Sequence, residues 1–176
     1  MKKLSDTQLA LLTATTDSHK AYSELVRRHR SALLAFLYRI AGDDMNIEDL
    51  VQSTFIKALQ KIVQFRSDAS FKTWLFRIGY NEFLQLKRRR KSRDQMETNL
   101  ADYENQKNTL PVDLSVDLKR ALDQLSDLER VAIILCDAVG FSNHEAAHAM
   151  DAPLGSVKTY IKRARQKMRT YLEGDN

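Results

Sequence analysis

Residues 141–171 read FSNHEAAHAMDAPLGSVKTYIKRARQKMRTY, and this stretch predicts two helices joined by a tight turn. Ser142 and Glu145 have the S-x-x-E spacing of a capping box, which marks the start of the first helix. Asp151 ends that helix, and Pro153 suits the first turn of the next because it has no amide proton to lose. Apolar residues then recur at steps of three and four and give the second helix one buried face: Val157, Ile161, Ala164, Met168 and Tyr171.

The rest of this second helix is basic. No acid falls between Leu154 and Leu172, and six cations do: Lys158, Lys162, Arg163, Arg165, Lys167 and Arg169. Two short helices of this kind are typical of a helix-turn-helix whose second helix lies in the major groove of DNA. Asp151 holds the turn position where glycine is usual, and aspartate tolerates the left-handed conformation better than most residues. The alternative is an ordinary surface helix with a solvated basic face; the spacing of Ala147, the turn and Val157 favours DNA binding.

Charge divides the chain into three parts. Residues 1–93 hold 18 Lys and Arg against 9 Asp and Glu, residues 94–114 hold 1 against 5, and residues 115–176 hold 9 against 9. With 5 glycines, 2 prolines and no alternating strand pattern, the chain is predicted to be all-α. We expect two small helical domains, 1–93 and 115–176, joined by a flexible acidic linker at 94–114. The basic first part and the six cations within residues 154–172 suggest two contacts with one nucleic acid.

Polar residues that precede apolar helical patterns predict where the other helices begin. The predicted starts are Ser5, Asp17 or Ser18, Asn46, Ser70, Ser115 and Ser126. Ser126 and Glu129 form another S-x-x-E capping box. The helix after Ser70 ends in a run of six cations within residues 87–93.

Several function classes are disfavoured by what the sequence lacks. Cys136 is the single cysteine and lies in the apolar run VAIILCDAV, so we expect a small buried side chain in a protein of a reducing compartment.

No apolar segment reaches membrane-spanning length and the N-terminus has no apolar signal core, so we expect a cytoplasmic protein without membrane insertion. Without a glycine-rich phosphate loop or a thiol paired with a base, we expect a binding protein with no catalytic residues and no cofactor.

One motif competes with this interpretation. Residues 144–148 read HEAAH, the H-E-x-x-H pattern of zinc hydrolases. A catalytic zinc needs a third protein ligand, and only Asp151, Glu173 and Asp175 follow the second histidine. Because Glu145 already has a role in the capping box, we predict no metal site.

Three motifs in this order carry a family resemblance: DLVQSTF at 49–55, WLFRIGYN at 74–81 and SVKTYIKRARQKM at 156–168. Over residues 5–172 the chain resembles the bacterial sigma-70 family, specifically its small extracytoplasmic-function (ECF) sigma factors. Gly79 and Tyr80 stand where alanine and other small residues are commoner in the family, and Tyr160 stands where arginine is frequent.

The resemblance implies what the two domains do. As sigma region 2, residues 1–93 would bind core RNA polymerase and the downstream (−10) promoter element; as region 4, residues 115–176 would bind the upstream (−35) element. The linker would thread the polymerase channel, whereas its composition alone indicates a solvated tether. An anti-sigma factor is the further partner implied.

The resemblance also assigns candidate residues to each contact. The outer face of the third helix would dock on the polymerase clamp through Asp49, Gln52 and Ser53. The downstream element would be met by Arg66, Ser67, Asp68 and Asn81, and its phosphates by Lys87, Arg88, Arg89 and Arg90. Trp74 and Tyr80 could stack on a flipped base, although the apolar neighbours of Trp74 favour a core position.

Helix-turn-helix geometry gives the candidates for the upstream element, since base edges are reached mainly by the first turns of the recognition helix. They are Leu154, Ser156, Lys158, Thr159, Lys162, Arg163 and Arg165. A stand-alone repressor or activator with the same motif is the competing interpretation, and it would bind its operator without polymerase.

Overall fold

The computed structural model describes residues 4–42, 45–96 and 116–174. All regular structure in these ranges is helical and no strand occurs in them, which confirms the predicted all-α class. The chain divides into two compact units, residues 1–108 and 109–176. Residues 97–114 of the predicted linker lie outside the described residues, and 94–96 form the end of a helix.

Four helices build the first unit: α1 (Asp6–Thr16), α2 (His19–Ala41), α3 (Ile47–Gln60) and α4 (Phe71–Met96), with a short 3₁₀ turn at Ile62–Gln64. The predicted starts at Ser5, Ser18, Asn46 and Ser70 are confirmed, because each side chain accepts a hydrogen bond from a backbone N–H in the first turn. Asp17 does not start α2; it adopts the left-handed conformation, at φ 50°, that ends α1.

The core of the first unit lies where α4 packs against α2 and α3. Phe36, Phe76 and Leu75 are fully buried there. Gly79 of α4 allows the helices to approach closely: a Cβ at this position would lie 3.0 Å from Leu33 Cδ1. A methyl group here would therefore require the Leu33 side chain to shift by a few tenths of an ångström, so glycine suits this position by packing and not by backbone conformation.

The second unit contains α5 (Val116–Asp123), α6 (Asp127–Ile133), α7 (Asn143–Met150) and α8 (Leu154–Gly174). A π-helical segment, Ile134–Ala138, continues α6 without a break, and the Val139 N–H bonds to the Ile134 carbonyl at 3.0 Å. The capping boxes at Ser126 and Ser142 are both present as predicted. The predicted start at Ser115 lies outside the described residues.

The turn between α7 and α8 has the predicted conformation. Asp151 takes the left-handed region at φ 51° and ψ 46°. Pro153 lies one residue before α8, not within its first turn, and its carbonyl accepts the N–H of Val157 at 3.1 Å. On the apolar face of α8, Val157, Ile161 and Ala164 are buried, whereas Met168 and Tyr171 are half-buried.

Cys136 corrects a prediction. It is half-buried, not buried, because the π-helical segment carries it to the edge of the core, with Sγ 3.7 Å from Asn143 Oδ1. Burial and the nearby Asp137 carboxylate both raise the pKa of the thiol. Of the helices described, none is at once long and apolar enough to cross a membrane.

Candidate nucleic-acid interface

The six cations of α8 are all exposed, and they lie on two flanks of the helix. One flank borders a groove of about 420 Å³ beside Asn143 at the start of α7, and it carries Lys158, Lys162, Arg165 and Arg169. The other borders a groove of about 680 Å³ with Gln124, and it carries Arg163 and Lys167. Arg163 and Arg165, both candidates for the upstream element, therefore face different surroundings.

The candidate residues in the first turns of α8 differ in their exposure to solvent. Lys158 and Thr159 are exposed, whereas Leu154 and Ser156 are half-buried. The Thr159 hydroxyl donates to the Gly155 carbonyl at 2.9 Å, so in this structure it is bonded within its own helix. The structure thus brings Lys158, Lys162 and Arg165 together along one groove. Leu154, Ser156 and Thr159 do not border that groove.

Arg165 is held by an acid from outside the helix-turn-helix. Its Nη2 lies 2.7 Å from Asp137 Oδ1 and its Nε lies 3.4 Å from Asp137 Oδ2. This pairing raises the pKa of the Arg165 guanidinium further. Asp137 belongs to the π-helical segment, 28 residues earlier in the chain, so no local pattern could have paired the two.

Lys167 is held in a similar way on the other flank. Its Nζ lies 2.7 Å from Oε2 of Glu129, a carboxylate with only 4% of the residue exposed. Burial alone would raise the pKa of Glu129, but the hydrogen bonds from Lys167 and Ser126 outweigh it and hold the pKa below its ordinary value. Lys167 therefore pairs with the carboxylate of the capping box that starts α6.

Residues 144–148 are organised as a helix start. Glu145 Oε2 accepts hydrogen bonds from both the backbone N–H and the hydroxyl of Ser142, each at 2.9 Å. His144 is exposed, and the Nδ1 atom of His148 is buried without a hydrogen-bond partner. Within the described ranges no three His, Cys, Asp or Glu side chains come together in a way that could hold a metal ion.

In the first unit, the candidate loop residues follow Phe65, which belongs to an aromatic cluster. Arg66, Ser67 and Asp68 are exposed, and Ser67 has a positive φ of 60°. The half-buried Trp74 packs on Phe65 and Phe71, with ring centroids 5.4 and 5.7 Å away. Tyr80 is 4% exposed. These positions support the core interpretation of Trp74 and place the Tyr80 ring out of reach of a base in this conformation.

The polar face of α4 borders a groove of about 180 Å³ beside α3. Asn81 and Arg88 line it together with Lys57 of α3 and Lys61, which directly follows α3; neither lysine was among the candidates. Lys57 Nζ is paired with Glu82 Oε1 at 2.5 Å across the groove. Along the basic end of α4, Lys87, Arg88 and Arg89 are exposed and Arg90 is half-buried.

The outer face of α3 carries the candidates for protein docking. Asp49 and Gln52 are exposed, and the half-buried Ser53 donates its hydroxyl to the Leu50 carbonyl at 3.1 Å. Gln52 borders an apolar groove of about 350 Å³ between α2 and α3, whose walls include Tyr22, Val26, Val51, Phe55 and the exposed Ile56.

The second unit, with its tight turn and basic second helix, defines a helix-turn-helix protein. The family profile of sigma-70 region 2 matches residues 25–93, and the profile of sigma-70 region 4 matches residues 115–168. The chain belongs to the sigma-70 family, in its ECF branch.

Individual relatives agree with the profiles. The chain is 35% identical to the ECF RNA polymerase sigma factor SigE of Mycolicibacterium smegmatis, over 94% of this chain and 68% of that protein. It is 34% identical to the RNA polymerase sigma factor NccH of Alcaligenes xylosoxydans xylosoxydans, over 96% of this chain and 95% of that one.

Two solved structures are similar to the whole chain. The sigma factor RpoE of Bartonella quintana, in complex with the anti-sigma factor NepR, has a TM-score of 0.73 and 33% identity, over 89% of this chain and 99% of that one. CnrH, in complex with the cytosolic domain of CnrY, has a TM-score of 0.73 and 30% identity, over 97% of this chain and 99% of that one.

Proposed function

We propose that this chain directs transcription initiation as an ECF sigma factor: it joins core RNA polymerase, brings it to promoters and helps to melt them. The observation that carries the proposal is the match of the two units, in order, to sigma-70 regions 2 and 4. It acts by binding and not by catalysis. Because its partners would be polymerase and chromosomal DNA, we place its activity in the cytoplasm.

In this proposal the first unit has two contacts. The exposed Asp49 and Gln52, with Ser53, form the docking face for the polymerase on α3. Downstream-element DNA meets the loop at Arg66, Ser67 and Asp68 and the exposed side of α4 at Asn81. The basic end of α4 then holds phosphates, which fix position without reading sequence: Lys87, Arg88, Arg89 and Arg90.

The second unit reads the upstream element with α8. An α-helix fits the major groove of B-DNA, and the exposed cations of α8 supply the phosphate contacts and the base-reading donors. The predicted contacts remain those drawn from the sequence: Leu154, Ser156, Lys158, Thr159, Lys162, Arg163 and Arg165. The linker at 94–114 joins the two contacts on one promoter.

An anti-sigma factor is the proposed regulator. RpoE and CnrH, the two similar proteins of known structure, were each solved with such a protein or with a cytosolic partner domain bound. We expect this chain to be held inactive by a protein of the same class, which releases it when a signal arrives.

Binding with and without polymerase separates this function from that of a stand-alone repressor. The chain alone should not shift a promoter fragment at physiological salt, whereas the chain with core polymerase should shift it strongly. A repressor would shift its operator alone and as a dimer on a palindrome. A specific shift by the chain alone, unchanged by polymerase, would reject the proposal.

A further inference from the structure

The geometry of the Asp137–Arg165 pair leaves one edge of the arginine open. The carboxylate takes the side of the guanidinium formed by Nε and Nη2. A guanidinium carries five N–H donors in a rigid plane, so the end formed by Nη1 and the second Nη2 hydrogen can still donate. The Arg165 side chain is 59% exposed, consistent with an open edge.

Asp137 fixes the direction of that open edge. An unpaired arginine loses side-chain entropy when a ligand orders it, whereas a paired arginine is ordered beforehand. Arg163, on the other flank, has no such partner among the residues that the structure describes. Arg165 is therefore the better prepared of the two to meet a rigid, bidentate acceptor.

The position of the pair matters as much as its geometry. Arg165 borders the same groove as Lys158 and Lys162, beside the start of α7. A carboxylate here removes one unit of positive charge from a face that would otherwise attract phosphate more strongly. A surface that only held phosphates would bind them better without Asp137, so the acid needs another explanation.

We propose that Asp137 is a positioning residue for promoter recognition: it holds Arg165 so that the open edge of its guanidinium meets the two acceptors of a guanine in the upstream element. The π-helical segment supplies the acid from outside the recognition helix. This inference rests on the proposed function of the chain as a sigma factor. It assigns the base contact to Arg165 and leaves phosphate contacts to the neighbouring lysines.

The test is a promoter-library selection with reconstituted holoenzyme, in which the upstream element is randomised. Arg165→Ala should lower discrimination at one base pair by about tenfold or more. Asp137→Asn should lower discrimination at that same base pair, although it removes a negative charge and leaves sequence-independent binding at low salt undiminished. Asp137→Glu, which keeps the carboxylate, should restore part of the preference, and the double variant should match Arg165→Ala alone.

Asp123→Asn is the matched control. It breaks another ion pair of the same unit, that of Asp123 with Arg130 at 3.2 Å, and makes the same change of charge at a residue that does not border the groove of Arg165. Its base profile should equal that of the unaltered protein.

Two results would overturn the inference. If Asp137→Asn binds all sequences more tightly with an unchanged profile, Asp137 is only a repelling charge. If Asp137→Asn lowers the unfolding midpoint with an unchanged base profile, the ion pair only stabilises the packing of α8 against the π-helical segment. A failure of the proposed function would look different, since the unaltered holoenzyme itself would then select no promoter.

Discussion

At the scale of single residues, the structure shows how deeply a side chain on an apolar helix face is buried and which residues it contacts. His29 lies among the buried residues of α2. It is 7% exposed, with Nε2 2.8 Å from Asp6 Oδ2 and its ring 5.5 Å from that of Phe71. Burial lowers the pKa of His29, and the Asp6 carboxylate opposes this only in part. The tertiary partners Asp6 and Phe71 could not be identified from periodicity.

This lowered pKa predicts a loss of stability in acid. Unfolded histidine takes a proton near its ordinary pKa of about 6.5, whereas folded His29 resists protonation, so its contribution is present above that pH and is lost as pH falls towards the folded pKa. The unfolding midpoint should drop between about pH 7.5 and about pH 5.5. His29→Gln should reduce that drop, and the exposed His19→Gln should not. Equal pH dependence in the two variants would contradict the prediction.

Gly79 gives a second prediction at this scale. A methyl group there would meet the fully buried Leu33 at 3.0 Å, and overpacking of a filled core costs about 1–3 kcal/mol. Gly79→Ala should therefore lower the free energy of unfolding. Gly155→Ala is the control, because nothing lies within 4 Å of its added Cβ. Stabilisation by both substitutions, measured by denaturant unfolding, would be inconsistent with tight packing at Gly79.

At the scale of helices, the sequence predicts local features such as caps and turns, but it does not predict which distant residues pair. The capping boxes at Ser126 and Ser142 and the left-handed Asp151 depend on neighbours within a few residues, and these predictions were confirmed. The ties of α8 to Glu129 and Asp137 span 38 and 28 residues. They depend on the angle at which α8 crosses α6, which no local pattern encodes.

The ion pair between Glu129 and Lys167 predicts that two lysines of α8 differ in their effect on stability. Lys167→Ala should leave the buried Glu129 carboxylate short of a partner and lower the stability of the second unit by about 1–3 kcal/mol. Lys162→Ala removes the same charge from an exposed position and should change stability by less than about 0.5 kcal/mol. Hydrogen exchange of the α6 and α8 amides measures the difference directly. Equal protection in both variants would show that the tie contributes nothing.

The outer face of α3 predicts a binding defect without a folding defect. Gln52 is exposed, so Gln52→Ala should weaken the affinity for core polymerase while the unfolding midpoint stays nearly constant. Gln64→Ala, at an exposed position in the 3₁₀ turn that follows α3, is the control. Normal holoenzyme assembly by Gln52→Ala in a titration with core polymerase would show that the docking face is assigned wrongly.

At the scale of the whole molecule, the amino-acid composition and the order of the motifs along the chain supported most of the predictions. Charge segregation and three short motifs predicted two helical bodies and their family, and the profile matches to residues 25–93 and 115–168 confirm the family. Residues two apart on a helix lie about 200° apart, so the sequence separates Arg163 from Arg165, but it could not show that Asp137 pairs with Arg165, 28 residues away. It also did not indicate that Lys57 of α3 and Lys61, just after that helix, border one groove with Asn81.

Run-off transcription with purified core polymerase on genomic fragments tests the central claim most directly. Core polymerase with the chain should give discrete transcripts whose start sites share an upstream and a downstream element at a constant separation. Core polymerase alone should give none of them. Transcripts that do not depend on the chain, or fragments that the chain binds and silences by itself, would contradict the account.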